Sequence, residues 1–164
     1  MDIQRILKHL LTTDGQVARA FPASALDAIE AAIKDSESEH AGEIRFVVEA
    51  ALDGRPLFRG QSPQDRALEV FALTRVWDTE HNNGLLIYLL LADQAVEIVA
   101  DRGIHARVGA DAWREVCQRM EAAFRQSNYE SGVIAGVQAV TQHLAQHFPA
   151  GAGANELPDR PLLI

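Results

Sequence analysis

The run Leu85-Leu86-Ile87-Tyr88-Leu89-Leu90-Leu91 constrains this chain more than any other stretch, because seven residues in a row carry no charge. The run has strand length, and a strand that is apolar on both faces needs cover on both faces, so it demands a sheet with layers on either side. Ala92-Asp93-Gln94 then makes a tight connection to Ala95-Val96-Glu97-Ile98-Val99-Ala100, which returns antiparallel. Upstream, Glu43-Ile44-Arg45-Phe46-Val47-Val48-Glu49 is rich in β-branched and aromatic residues and reads as a further strand. Between these strands lie a turn and loop at Asp53-Gly54-Arg55-Pro56 and a helix opened by Ser62-Pro63, with Ala67, Leu68, Phe71, Ala72 and Val76 on one face. Strand, helix and strand in one sheet make a right-handed parallel crossover. The sheet is therefore small and mixed.

Helices flank this unit. Leu26, Ile29, Ala32 and Ile33, with Pro22 ahead and Ser24 as N-cap, predict a helix before the first strand. Trp113, Val116, Cys117, Met120 and Phe124 predict a second, opened by Gly109-Ala110-Asp111, and another runs from about Tyr129 to Phe148. At the start, Ile3, Ile6, Leu7, Leu10 and Leu11 recur at helical spacing around Arg5, Lys8 and His9; this segment is expected to dock onto the domain, the alternative seat being a membrane surface. The expected division is an N-terminal helical segment over 1–20, an α/β domain over 21–148 and a flexible tail over 149–164, of which Leu162-Leu163-Ile164 is a weak docking peptide at most.

With 164 residues, 48% of them hydrophobic, the chain has the length of one domain and enough apolar surface for a core. Its 23 Asp and Glu outnumber 15 Lys and Arg, and the cations are scattered, which argues against nucleic acid as a partner. Cys117, the one cysteine, excludes an internal disulfide and reads as packed. No apolar run reaches the roughly 20 residues of a membrane span, and the first residues do not read as a signal peptide, so a soluble, cytoplasmic protein is expected. Serine-nucleophile, phosphate-loop and dinucleotide motifs do not occur, and His143 and His147, four apart without an adjacent Glu, read as surface histidines.

The topology brings three separated segments to one edge of the sheet: Glu39 to Glu43, Trp77 to Asn83, and Asp101-Arg102-Gly103-Ile104-His105. Carboxylates, carboxamides and backbone oxygens on loops suit calcium or magnesium, whereas His40, His81 and His105 offer nitrogen to zinc or manganese. The competing reading is that these are solvated charges and caps, with Asp78 and Asn83 bonded to nearby backbone.

The order of a helix, the Gly-Glu-Ile-Arg-Phe-Val-Val strand, a helix ending in Trp77, Asn83-Gly84 before an apolar strand, Asp93 at the hairpin and Gly103 after the third strand resembles the TPM-domain family, also labelled TPM phosphatase, over about Ala23 to Val140. The resemblance implies a three-layer α/β/α sandwich around a small mixed sheet, with an N-terminal helix and two C-terminal helices. Where many relatives have a Gly-Tyr-Gly-like segment, this chain reads Asp101-Arg102-Gly103-Ile104-His105. Two functions follow as expectations. The first is a domain that binds a divalent metal, calcium or magnesium, through Asp78, Asn83 and Asp101, or binds a protein partner, itself membrane-associated or not. The second is a metal-assisted phosphomonoesterase in which Arg102 meets developing charge and His81 or His105 handles a proton.

Overall fold

The computed structural model describes residues 2–151 and 153–164. Among them are eight α-helices: α1 (Ile3–Leu11), α2 (Asp14–Ala20), α3 (Ala23–Glu37), α4 (Gly54–Phe58), α5 (Pro63–Leu73), α6 (Arg102–Val108), α7 (Ala110–Arg125) and α8 (Tyr129–His147). Four strands, β1 (Glu43–Glu49), β2 (Gly84–Leu90), β3 (Ala95–Ala100) and β4 (Leu162–Leu163), form one sheet in the order β3-β2-β1-β4. β1 and β2 run parallel from Glu43↔Gly84 to Glu49↔Leu90, and β3 returns antiparallel with Leu85 opposite Ala100. The crossover and hairpin are as expected from the sequence.

Every residue of β1 and β2 is buried, which is what an apolar run covered on both sides requires. Leu85, Ile87 and Leu89 face α3, α7 and α8 in one core layer, joined by Val17 of α2 and Ile104 of α6. Leu86, Tyr88 and Leu90 face the other way, against Leu57 of α4 and Ala67 and Val70 of α5. The architecture is thus the expected α/β/α sandwich. The buried carboxylate of Glu49 on β1 is matched: it accepts from the Tyr88 hydroxyl at 2.6 Å and from Arg66 Nε and Nη2 at 2.9 and 2.8 Å. Gly132 and Gly136 let α8 lie against α7, where a methyl group on Gly136 would meet the Met120 sulfur. Burial pushes the Cys117 thiol up to about 12, so it is a packed, unreactive side chain.

Several local expectations are corrected. Pro22, not Ser24, occupies the N-cap of α3. Asp14-Gly15 opens α2, where Gln16 Oε1 accepts from the Thr13 N–H at 3.0 Å, and Gly54–Phe58 forms the short helix α4 instead of a loop. The tail expected to be flexible adds β4 to the outer edge of β1, pairing Leu162 with Val47 and Leu163 with Val48. Leu157 is buried, Arg45 Nη1 donates to the carbonyls of Pro158 and Arg160 at 2.9 and 2.6 Å, and Arg160 pairs with Asp27 and Glu30. These contacts outweigh the disorder that the glycines and prolines of the segment suggest. Finally, α1 docks, but through its polar side: Arg5 and His9 both reach Asp93, while Ile3, Leu7, Leu10 and Leu11 remain exposed.

Candidate functional site

The three segments do meet at one edge, where β1 and β2 begin and β3 ends. The Glu43 N–H donates to the Asn83 carbonyl at 3.0 Å and the Asp101 N–H to the Gly84 carbonyl at 2.9 Å, so the backbone itself ties the loops together. Gly84 must be glycine here, since a methyl group would collide with the Val76 carbonyl oxygen at the end of the preceding turn. Gly103 has a similar role one layer out: a Cβ there would lie 2.9 Å from the Asn82 carbonyl oxygen.

Asn83 is buried, its N–H donating to Thr79 Oγ1 at 3.1 Å and its side-chain amide to the Ala41 carbonyl. Its Oδ1 has no hydrogen-bond partner. Asp101 is also buried and caps α6, its Oδ1 accepting from the Arg102 N–H at 2.6 Å. Its Oδ2 is buried without a partner. Asp78 is exposed and pairs with Arg75. His81, Arg102 and His105, the candidate acid, base and charge partner, are all exposed. Among the described residues no group of three His, Cys, Asp or Glu side chains is arranged to hold a metal ion. His143 is half-buried with its ring edge-on to Trp113, and has a packing role.

His40 is a structural residue. Its Nδ1 accepts from the Gly42 N–H at 3.0 Å, so the ring proton lies on Nε2, which donates to Ser36 Oγ at 2.8 Å. Ser36 Oγ then donates to Thr141 Oγ1 at 2.5 Å, and Thr141 to the Val137 carbonyl at 2.7 Å. Burial pulls the imidazole pKa down to about 4, against the opposing Gly42 bond, which makes His40 neutral at pH 7.

Beside this network a cleft of about 1070 Å³ opens between α3, the loop before β2 and the tail. Five of its lining residues are acids, Glu37, Glu43, Glu80, Glu156 and Asp159, against the single full cation Lys34. Burial raises the Glu37 carboxyl to about 8 despite its acceptance from the Ile44 N–H at 2.8 Å, and Glu43 and Asp159 add to the rise. Glu43 is likewise raised, first by burial, while its Oε2 accepts from the N–H groups of Glu156 and Leu157 at 3.2 Å each. The tail carboxylates were not legible as site residues, because nothing local in the sequence says that residues 155–159 fold back onto β1.

Taken together, the fold and this edge define a class: an α/β/α sandwich with a mixed sheet whose parallel strands open onto oxygen-rich loops. Within that class the chain belongs to the TPM domain family, which matches residues 16–143. The structure is similar to the solution structure of the BA42 protein from the psychrophilic bacterium Bizionia argentinensis, with 30% identity, a TM-score of 0.76, and 88% of this chain and 95% of that one covered. It is also similar to the N-terminal domain of a protein from P. gingivalis, with 27% identity, a TM-score of 0.56, and coverage of 74% and 76%. No match was found among curated proteins.

Proposed function

We propose that this TPM domain is a non-catalytic module that binds a divalent cation at the edge loops. The observation that carries the reading is the buried Oδ2 of Asp101, an acceptor oxygen with nothing donating to it. A buried acceptor left unpaired costs about 1–3 kcal/mol, more for a charged group, and a bound cation removes that cost. The Asn83 Oδ1 is in the same condition, and the Asn82 carbonyl lies close to Gly103, two residues after Asp101. Carboxylate, carboxamide and carbonyl oxygens are the donor set of calcium and magnesium. In this reading Asp101 and Asn83 hold the ion and Asp78 contributes at the rim.

The phosphomonoesterase reading has less support. A phosphate ester carries negative charge, and the adjoining cleft is lined by one lysine against Glu43, Glu80, Glu156 and Asp159, besides the protonated Glu37. His81, Arg102 and His105 are exposed, without the desolvated surroundings that tune a general acid or base.

Calorimetric titration of EDTA-treated protein with calcium and with magnesium tests the proposal. Asp101→Asn keeps a side chain able to cap α6 but removes the charge, so it should abolish binding without unfolding the domain. Saturable binding unchanged in Asp101→Asn, or no binding of either ion by the wild type, overturns it.

A further inference from the structure

Helix α1 is held with its polar side inward. Arg5 Nε and Nη2 donate to Asp93 Oδ2 at 3.0 and 2.8 Å, and Nη2 also donates to the Gln61 carbonyl at 2.9 Å. His9, 2% exposed, accepts from the Leu52 N–H at Nδ1 (2.9 Å) and donates from Nε2 to Asp93 Oδ1 (3.0 Å). Of the apolar residues, only Ile6 packs inward, against the α5 layer. The others face water: Ile3 is 69% exposed, Leu7 53%, Leu10 63% and Leu11 72%. At 3.6 residues per turn these four fall within an arc of roughly 100°, a full apolar stripe. Burying apolar side chains stabilises a fold, so folding alone gives no reason to turn four of them outward. The inward Arg5–Asp93 ion pair and the His9–Asp93 hydrogen bond fix the stripe in that orientation.

Charge beside the stripe indicates what covers it. Lys8 and Arg19, both exposed, line a hollow of about 510 Å³ between α1, α2 and the β2–β3 turn, with Thr12, Gln16 and Ser127 offering hydroxyl and amide groups. Among the described residues the one acid lining it is Asp93, whose carboxylate is engaged by Arg5 and His9. The chain carries a net charge of −8 and Asp2 and Asp14 are exposed at the two ends of the stripe, yet among the described residues lining the hollow the free charges are the cations Lys8 and Arg19. The phosphates of an anionic lipid surface attract Lys8 and Arg19. α1 lies ahead of the family-matched residues 16–143.

We propose that α1 is an interfacial anchor that seats the domain on an anionic lipid bilayer, with Ile3, Leu7, Leu10 and Leu11 in the headgroup–acyl boundary and Lys8 and Arg19 on lipid phosphates. The domain lies on the membrane and does not cross it; no helix among the described residues is long and apolar enough to do so.

Co-sedimentation of the full chain with vesicles tests this. Binding should be strong to phosphatidylcholine mixed with phosphatidylserine, weak to phosphatidylcholine alone, and should fall as salt rises. Lys8→Ala and Arg19→Ala should each lower affinity for the mixed vesicles about five-fold. The double variant Leu7→Glu/Leu10→Glu should lose binding while keeping the wild-type circular dichroism spectrum and melting midpoint. The proposal is overturned if neither vesicle binds at low salt, or if the double variant still binds. It is equally overturned if inorganic phosphate binds while vesicles do not, which would make the hollow a free-anion pocket. Light scattering that shows a dimer without lipid, dissociated by the same double variant, would overturn it in favour of self-association.

Discussion

Replacing His40 by Gln should change how stability depends on pH, by an amount the structure sets. In the folded protein the ring accepts from Gly42 and donates to Ser36, joining α3 and α8 to the start of β1, and its pKa falls from 6.5 to about 4. The unfolded chain takes up this proton near pH 6.5 and the folded chain only near pH 4, so the unfolded state binds more protons between those values. Stability from a neutral His40 is therefore fully present above pH 6.5 and is lost as pH falls toward 4. At about 1.4 kcal/mol per tenfold difference in proton affinity, the loss approaches about 3 kcal/mol. Glutamine keeps one acceptor and one donor without titrating. Urea denaturation followed by tryptophan fluorescence, at steps from pH 7.5 to 4, gives both curves, and carboxylates common to the two proteins cancel in the difference. The wild-type advantage should shrink by about 3 kcal/mol over this range. A difference that stays flat, or grows toward low pH, would refute the assignment of His40 as a buried neutral bridge.

Other perturbations probe other parts of the account. Gly84→Ala forces a methyl group onto the Val76 carbonyl and should cost about 3 kcal/mol in urea denaturation; a loss near zero would show that the loop before β2 is free to shift. Glu37 holds its proton up to about pH 8, against an ordinary 4.5, so its contribution is complete at acid pH and is lost as pH rises through 8; Glu37→Gln should flatten the wild-type decline between pH 6.5 and 8 in thermal melts. Asp93→Ala leaves His9 and Arg5 without their carboxylate, and should cost about 2–3 kcal/mol and raise amide exchange in residues 3–11 while leaving β2 protected. Exchange in α1 equal to the wild type would mean that Ile6 and its neighbours hold the helix unaided.

What the sequence made legible follows from where its patterns are physical necessities. An uncharged seven-residue run has one economical fate, a doubly covered strand, and β2 is that strand. Trp113, Val116, Cys117, Met120 and Phe124 define a helical face, and all five are buried on α7. Ser62-Pro63 announced a helix start that the Ser62 cap on the Asp65 N–H realises. Periodicity is silent, however, about which way a stripe points. The leucines of α1 predict an amphipathic helix equally well whether they face in or out, and the answer depends on Asp93, more than eighty residues away.

The same distinction holds at the site. Convergence of the three loops was legible, because a crossover followed by a hairpin fixes which strand ends share an edge. The roles within them were less so. Asp101 directly precedes the helix α6, and an acid in that position is a cap as readily as a ligand; here one oxygen caps and the other is left without a partner. Thr13-x-x-Gln16 is the capping box of α2, and Asp14-Gly15, a pair common in turns, sits inside that helix's first turn. The carboxylates of the tail reach the cleft through long-range pairing of Leu162 and Leu163 with β1, for which two residues of sequence give almost no indication.

The claim that this edge binds a divalent cation is tested most directly by recording amide ¹H–¹⁵N NMR spectra of EDTA-treated protein during calcium titration. Saturable shifts are expected, confined to residues 79–84 and 101–105, absent in Asp101→Asn and largely retained in Asp78→Ala, whose carboxylate is exposed and engaged by Arg75. Shifts that cluster elsewhere, or that persist undiminished in Asp101→Asn, would contradict it.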